Sequence, residues 1–196
     1  MKARDIAIGF NEAERARVGS LYWEAFHQKL RPAFNNEAIG LRVVRAAMRA
    51  DRMLVARVDG TVAGVCGYYD RGSGAADLSW RALRQVLPRG QAVRASLALS
   101  VLARQEKDRL LVLDGICVDS AHRGDGIGTA LLDAAEQYAR DRGLAAVRLS
   151  VIDRNPRAEK LYRRRGYMPV DRGALGLLGF VYGFDKYIVM DKELAR

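Results

Sequence analysis

The sequence predicts an α/β domain built on a mixed sheet. Three observations carry that expectation. Met53 to Val58 and Thr61 to Tyr69 are strand-like apolar runs joined by Asp59-Gly60, a dipeptide suited to a tight hairpin turn. From Leu110 onward, apolar runs alternate with segments of helical period, and glycines follow the helical segments. The chain has 196 residues, no repeat and no Pro/Ser-rich linker, which fits one domain over 1–196. A chain of this size buries about 70% of its unfolded surface and needs no disulfide or metal to hold a core.

The elements follow in order. Ile6 and Ile8 alternate with small or polar residues and mark a short first strand. Asn11-Glu12-Ala13-Glu14 has the form of a capping box, with Asn11 as the cap and Glu14 reaching back. Val18, Leu21, Tyr22, Ala25 and Phe26 then recur at helical spacing. A second helix starts after Asn35-Asn36 and carries Ile39, Val43, Ala47 and Met48. Beyond the hairpin, Gly72-Ser73-Gly74 opens a loop. Trp80, Leu83, Val86 and Leu87 predict one helix; Val93, Leu97, Ser100, Val101 and Arg104 predict another after Pro88-Arg89-Gly90. About 75–107 is therefore a helical insertion between the third and fourth strands. Leu110 to Val118 reads as a long apolar strand, and Asp119 to Asp125 as a loop. A helix runs from about Gly126 to Arg142, with Gly143 placed as a C-terminal glycine. Ala145 to Ile152 is the next strand. Pro156 opens a helix to Arg165, with Gly166 just past its end. Tyr167 to Val170 and Tyr187 to Asp191 read as the last strands, separated by a glycine-rich loop over Gly173 to Phe184.

Hydrophobic residues make up 49% and charged residues 29%, which argues against disorder, collagen and coiled coil. Lys and Arg exceed Asp and Glu by 33 to 23, giving +10 and inviting an anionic partner: nucleic acid, an acidic membrane face or a phosphate-bearing small molecule. Of the cations, 27 are Arg, and arginine-rich codon usage accounts for much of the excess more simply than a binding surface does. Aromatic residues do not interleave with a basic run as a single-strand platform requires. Cys66 and Cys117 lie in apolar runs, as expected of buried, reduced thiols in a cytoplasmic protein, although a disulfide between them stays open. No Cys/His cluster suggests a metal. No apolar signal core follows Met1-Lys2-Ala3-Arg4-Asp5, and Gly173 to Phe184 is too short to span a bilayer.

Arg123-Gly124-Asp125-Gly126-Ile127-Gly128 joins an expected strand to an expected helix. Glycines let the backbone turn tightly there, and successive N–H groups at a helix N-terminus form an anion-binding nest. The spacing is neither G-x-G-x-x-G nor a Walker loop. Alone it also reads as a plain glycine turn. A second pattern follows the next strand: Asn155-Pro156-Arg157-Ala158-Glu159-Lys160-Leu161-Tyr162, closed by Arg165-Gly166-Tyr167.

This pairing of R-x-x-G-x-G with N-x-x-A-x-x-L-Y resembles the GNAT superfamily of acyl-CoA-dependent N-acyltransferases. The resemblance covers Leu110 to about Val170, and the element order outside it agrees. It implies a mostly antiparallel sheet of about seven strands flanked by helices. It also implies acetyl-CoA as co-substrate, no metal, and transfer of an acetyl group by direct attack to a primary amine of a small molecule or of a protein or peptide. The pyrophosphate would rest on Arg123, Gly124, Asp125, Gly126, Ile127 and Gly128, with Thr129 adding a hydroxyl. The pantetheine arm would run along Ile116, Cys117 and Val118, where a main-chain N–H also serves as oxyanion donor. Asn155 and Ala158 would flank the arm from the other side, and Tyr162 would protonate the departing thiolate.

Elementary chemistry asks for the same parts. An attacking amine with a reference pKa near ~10.4 must lose its proton, while a tyrosine near ~10 stays protonated and can donate. With direct attack, catalysis is mainly positioning and electrostatics. Asp114 is the only acidic residue of the Leu110 to Val118 run and shares strand parity with Ile116 and Val118. It is the candidate base, with a structural carboxylate as the competing role. His122 and His27 are the alternatives, and loop or helix-surface roles are open to both. Tyr162 could also be a packing aromatic, Asn155 a helix cap, and Cys117 a small buried hydrophobe.

Two departures from the family pattern stand out. Ser120 occupies a position where relatives often carry proline, and the segment between Tyr69 and Leu110 is long. In the family, the acceptor site is walled by the first two helices and the loop before the last strand, here about Tyr22 to Asn36 and Arg172 to Phe184. The inserted helices with Trp80 would add a lid or a homodimer contact. Arg163-Arg164-Arg165 is either a solvated helix face or a contact for the adenosine 3′-phosphate. A non-catalytic acyl-CoA sensor and a basic nucleic-acid-binding protein are the other functional classes consistent with this chain.

Overall fold

The computed structural model describes residues 4–34, 36–70, 72–101 and 109–194. The strands are β1 (Arg4–Ile8), β2 (Met53–Val58), β3 (Thr61–Tyr69), β4 (Leu110–Val118), β5 (Ala146–Ile152), β6 (Met168–Ala174) and β7 (Lys186–Glu193). The helices are α1 (Arg15–Leu30), α2 (Glu37–Ala47), α3 (Trp80–Val86), α4 (Arg89–Ser100), α5 (Ile127–Asp141), α6 (Pro156–Arg164) and the short α7 (Gly179–Tyr182). One seven-stranded sheet runs in the order β1-β2-β3-β4-β5-β7-β6. Every neighbouring pair is antiparallel except β4 and β5. The mixed, mostly antiparallel sheet expected from the sequence is therefore present. The helices α3 and α4 lie between β3 and β4, and Arg104 of the expected second helix lies outside the described residues.

Two cores form, one on each face of the sheet. On one face Val18, Leu21, Val43, Leu83 and Ala95, from α1 to α4, pack on Met53, Val55, Val65 and Cys117. On the other, Leu131, Leu132, Ala135 and Tyr138 of α5 pack on Leu54, Cys66, Leu111, Leu113 and Val147. The i, i+3, i+4 spacing on α5 makes one stripe of these side chains, each large one contributing about 1.5–3 kcal/mol on burial.

Local chemistry sets the boundaries. Asn11 and Glu14 form the expected reciprocal box at 3.0 Å in both directions, but it organises a turn, and α1 begins only at Arg15. Asn36 caps α2 by accepting from the N–H groups of Ala38 and Ile39. Two expectations for the C-terminal part are corrected. The sixth strand is Met168–Ala174, because it pairs with β7 through a bulge between Pro169 and Asp171 and continues to Lys186. The glycine-rich loop holds a short 3-10 turn over Gly176–Leu178 followed by α7. None of the described helices is long and apolar enough to cross a membrane.

Candidate active site

The parallel pair β4 and β5 is joined only through Leu110↔Ala146, Leu111↔Val147 and Val112↔Arg148. Beyond Val112, β4 remains paired with β3 on its other side and ends at Val118. The edge of β4 that faces β5 is thus left without a ladder over its second half. Backbone N–H and C=O groups on such an edge are ready to pair with an added extended chain.

At the end of β4, a 3-10 turn over Ser120–His122 leads into the glycines. Gly126 sits at the N-cap of α5 with φ +81°, a left-handed conformation that glycine adopts without steric cost. No side chain caps α5, so the N–H groups of its first turn, Ile127 to Thr129, point outward from the helix start. Arg123, Gly124, Asp125 and Gly126 are exposed. Arg123 is oriented by Glu24 of α1 at 3.2 Å and by the carbonyl of Val118 at 3.4 Å. His122 turns toward Asp125, its Nδ1 lying 3.4 Å from the carboxylate. A Cβ built at Gly128 would stand 3.5 Å from Leu161 and 3.7 Å from Val118, so the end of β4 and the starts of α5 and α6 converge. Ile116, Val118, Ala158 and Leu161 are partly buried beside the same core. Asn155 caps α6, its Oδ1 accepting from the N–H of Ala158 at 3.2 Å. Tyr162 is buried, 6.0 Å from the Tyr167 ring between centroids.

Asp114 occupies a β-bulge. Gly67 pairs with Gly115 and Tyr68 with Leu113, so Asp114 is the extra residue of β4. The bulge reverses alternation beyond it. Leu111 and Leu113 face α5, Cys117 faces α1, and Ile116 and Val118 are again on the α5 side. The expectation that Asp114 shares a face with Ile116 and Val118 is therefore overturned. Its carboxylate faces α1, where the Tyr22 hydroxyl donates to it at 3.1 Å. Gly115 sits on that face too: a Cβ there would collide with the Phe26 ring.

Asp114 borders a cavity of ≈ 680 Å³. Tyr22, Phe26, Lys29 and Leu30 of α1 form one wall; Leu175, Phe184 and Tyr187 form another; Ser150 and Ile152 of β5 close its floor. The expected wall from the loop before the last strand is present, while no residue of α2 lines the cavity. Trp80 of α3 and Ser96, Leu99 and Ser100 of α4 supply a wall instead. Tyr162 lies apart from these walls, on the α5 side of the sheet. Tyr22, Lys29, Ser96 and Ser150 carried no motif signal, because fold contacts between distant segments bring them here.

Burial pushes the Cys66 thiol up to about 12, and burial followed by the neighbouring Cys66 and Asp114 raises Cys117 well above its ordinary value. Neither is a nucleophile at neutral pH. The two thiols are free. Of the arginine cluster, Arg163 pairs with Glu159 at 2.8 Å and Arg165 with Asp133.

Known proteins resemble this chain over part of its sequence and in its fold. The chain is 38% identical over 60 residues to a thialysine N-epsilon-acetyltransferase from Bos taurus, a match covering 31% of this chain and 35% of that protein. The chain spans about a third of the length of the curated relatives it matches. An N-acetyltransferase structure from Staphylococcus aureus Mu50 superposes with a TM-score of 0.73 at 19% identity, covering 96% of this chain and 100% of that one. A Bacillus anthracis acetyltransferase solved in complex with acetyl coenzyme A superposes with a TM-score of 0.50 at 15% identity, covering 73% and 63%. The family model described as the acetyltransferase (GNAT) family matches residues 16–167. This chain belongs to the GNAT acetyltransferase family.

Proposed function

We propose that the chain is an N-acetyltransferase that moves an acetyl group from acetyl-CoA to a primary amine of a small molecule or peptide. The observation that carries this reading is the parting of β4 from β5 beside the uncapped, glycine-led start of α5, with Asp114 bulged into the adjoining cavity. The residues fit such a co-substrate. The first-turn amides of α5, with Arg123 to Thr129, offer a pyrophosphate cradle, and the open edge of Ile116, Cys117 and Val118 offers backbone partners to an extended arm. Asn155 and Ala158, at the start of α6, flank that arm.

Acetyl-CoA supplies an activated acyl group: the nitrogen–carbonyl carbon bond forms as the carbon–sulfur bond breaks. The other roles belong to this chain. Asp114, oriented by Tyr22, takes the proton from the amine on the cavity side. A main-chain N–H of Ile116 to Val118 stabilises negative charge on the carbonyl oxygen. Tyr162 delivers a proton to the sulfur. The cavity beside Asp114 holds the acceptor. The test is release of free CoA thiol from acetyl-CoA on adding primary amines. Amine-dependent release, with acetylated amine recovered in equal amount, is the expected result. Acetyl-CoA binding with no transfer to any amine would replace this reading with that of an acyl-CoA sensor.

A further inference from the structure

The glycine-led loop before α5 has to hold its N–H groups in one arrangement although little packs on it, and the following inference rests on the acetyltransferase reading above. Arg123, Gly124, Asp125 and Gly126 are exposed, and a Cβ built at Gly124 would meet no neighbour within 4 Å among the described residues. Gly124 and Gly126 hold φ of +100° and +81°. Glycine brings the largest conformational freedom to such a turn, so the shape of the loop has to be imposed from its ends. Its exit is fixed by Ile127, buried in the α5 core. Its entry is Asp119.

Asp119 ties that entry to β3, to the turn that follows it and to α1. Its N–H donates to the Ala63 carbonyl on β3 at 2.9 Å, and its own carbonyl accepts from the His122 N–H at 3.0 Å. One carboxylate oxygen, Oδ1, accepts from the Ala121 N–H at 2.8 Å and so caps the Ser120–His122 turn. The other, Oδ2, pairs with the Arg17 guanidinium of α1. Arg17 also donates to the Val62 carbonyl at 3.4 Å. The Asp119 side chain is only 15% exposed, whereas both partners of the Glu24–Arg123 pair further along the loop are more than half exposed. A solvated pair holds a loop weakly, and a shielded, charge-assisted bond holds it better. Arg17 and Glu24 stand about two turns apart on α1, the helix whose Tyr22 also holds Asp114. One helix therefore fixes both the loop entry and the carboxylate at the cavity. We infer that Asp119, held by Arg17, is a positioning residue for the pyrophosphate of acetyl-CoA: it sets the turn from which the loop and the first-turn amides of α5 face that anion.

The test measures CoA binding to the whole chain by calorimetry, well below the melting range of each variant. It adds kcat/KM for acetyl-CoA and for S-acetylpantetheine, the same thioester arm without a pyrophosphate. In Asp119→Ala the Kd for CoA should rise at least about tenfold, the scale of one lost hydrogen bond to a charged group. The preference for acetyl-CoA over S-acetylpantetheine should fall by a similar factor. Asp119→Asn keeps an acceptor for the Ala121 N–H and should bind CoA roughly 2–10-fold more tightly than Asp119→Ala. Arg17→Ala changes a half-exposed side chain and tests the same clamp should Asp119→Ala not fold. It should raise the Kd by roughly 2–10-fold, and adding it to Asp119→Ala should change little further, since Arg17 acts through the carboxylate. A Kd for CoA within about twofold of wild type in Asp119→Ala, or in Arg17→Ala where the former does not fold, overturns the inference and leaves the acetyltransferase reading intact. So does an equal loss of turnover for the two thioesters, which a merely structural role would give. Asp119-dependent CoA binding in a protein that transfers no acetyl group upholds the positioning role and sinks the activity instead. A wild-type chain that binds no CoA overturns both.

Discussion

The Tyr22 hydroxyl donates a 3.1 Å hydrogen bond to Oδ2 of Asp114, which lies 92 residues further along the chain. This bond ties α1 to the bulge of β4 and aims the carboxylate at the cavity. Asp114→Asn keeps size and an acceptor oxygen for Tyr22 while removing the carboxylate proposed as the base. It should lower kcat on the order of 10²-fold, the low end for general base catalysis, with acetyl-CoA affinity unchanged. Tyr22→Phe, which removes only the orientation, should cost less than about tenfold. Steady-state kinetics on the best amine, with calorimetry for acetyl-CoA, check both.

Tyr162 is buried against Tyr167 on the opposite side of the sheet. Tyr162→Phe keeps the ring and removes the hydroxyl proposed to protonate the thiolate. The expected outcome is a kcat fall on the order of 10²-fold, with the melting temperature and acetyl-CoA KM near wild type. A packing role alone would move the melting temperature of Tyr162→Ala and leave Tyr162→Phe fully active.

Gly115 has no room for a side chain under Phe26. Gly115→Ala should destabilise the fold by about 1–3 kcal/mol through overpacking. For a chain of this length that lowers Tm by roughly 2–10 °C, readable by thermal melting. The double variant with Phe26→Ala should lose less than the two single losses added together.

Glu14 meets Arg57 in a pair of 2.7 Å contacts, both side chains mostly buried. The hydrogen bond from Arg57 holds the Glu14 carboxyl below its usual range. A depressed folded-state pKa means stability that is present above the unfolded value, near ~4.3, and lost as pH falls through the folded value. Glu14→Gln should therefore cost about 1–2 kcal/mol at pH 7. Melting curves of the two proteins should converge as pH drops below about 4.

Both thiols are buried and held protonated well above neutral pH. Iodoacetamide at pH 8 should leave the native protein unmodified and alkylate both cysteines in denaturant, as intact mass will show. Rapid labelling of the folded protein would mean that one of the two strands opens readily.

Much of the fold is legible in local patterns. Asp59-Gly60 marks the β2–β3 hairpin, Asn36 and Asn155 mark helix starts, and Gly143 and Gly166 follow α5 and α6 with positive φ. The glycine loop and Tyr162 are legible as motifs. The facing of Asp114 is not, because a bulge is set by pairing with β3, and one inserted residue reverses the alternation beyond it. The length of β6 is hidden for the same reason: Asp171, Arg172 and Gly173 have low strand propensity and are held there by β7. The cavity walls are the least legible, since α1, α4 and the β6–β7 connection meet only in the folded chain.

The central claim is that acetyl-CoA binds where β4 leaves β5. Thermal melting with and without acetyl-CoA tests it most directly. At a hundredfold excess over Kd a ligand of the folded state adds about 2.7 kcal/mol, which for a chain of this length raises Tm by roughly 5–10 °C. A rise of that size with acetyl-CoA is the predicted result. An unchanged melting temperature at millimolar acetyl-CoA would contradict it.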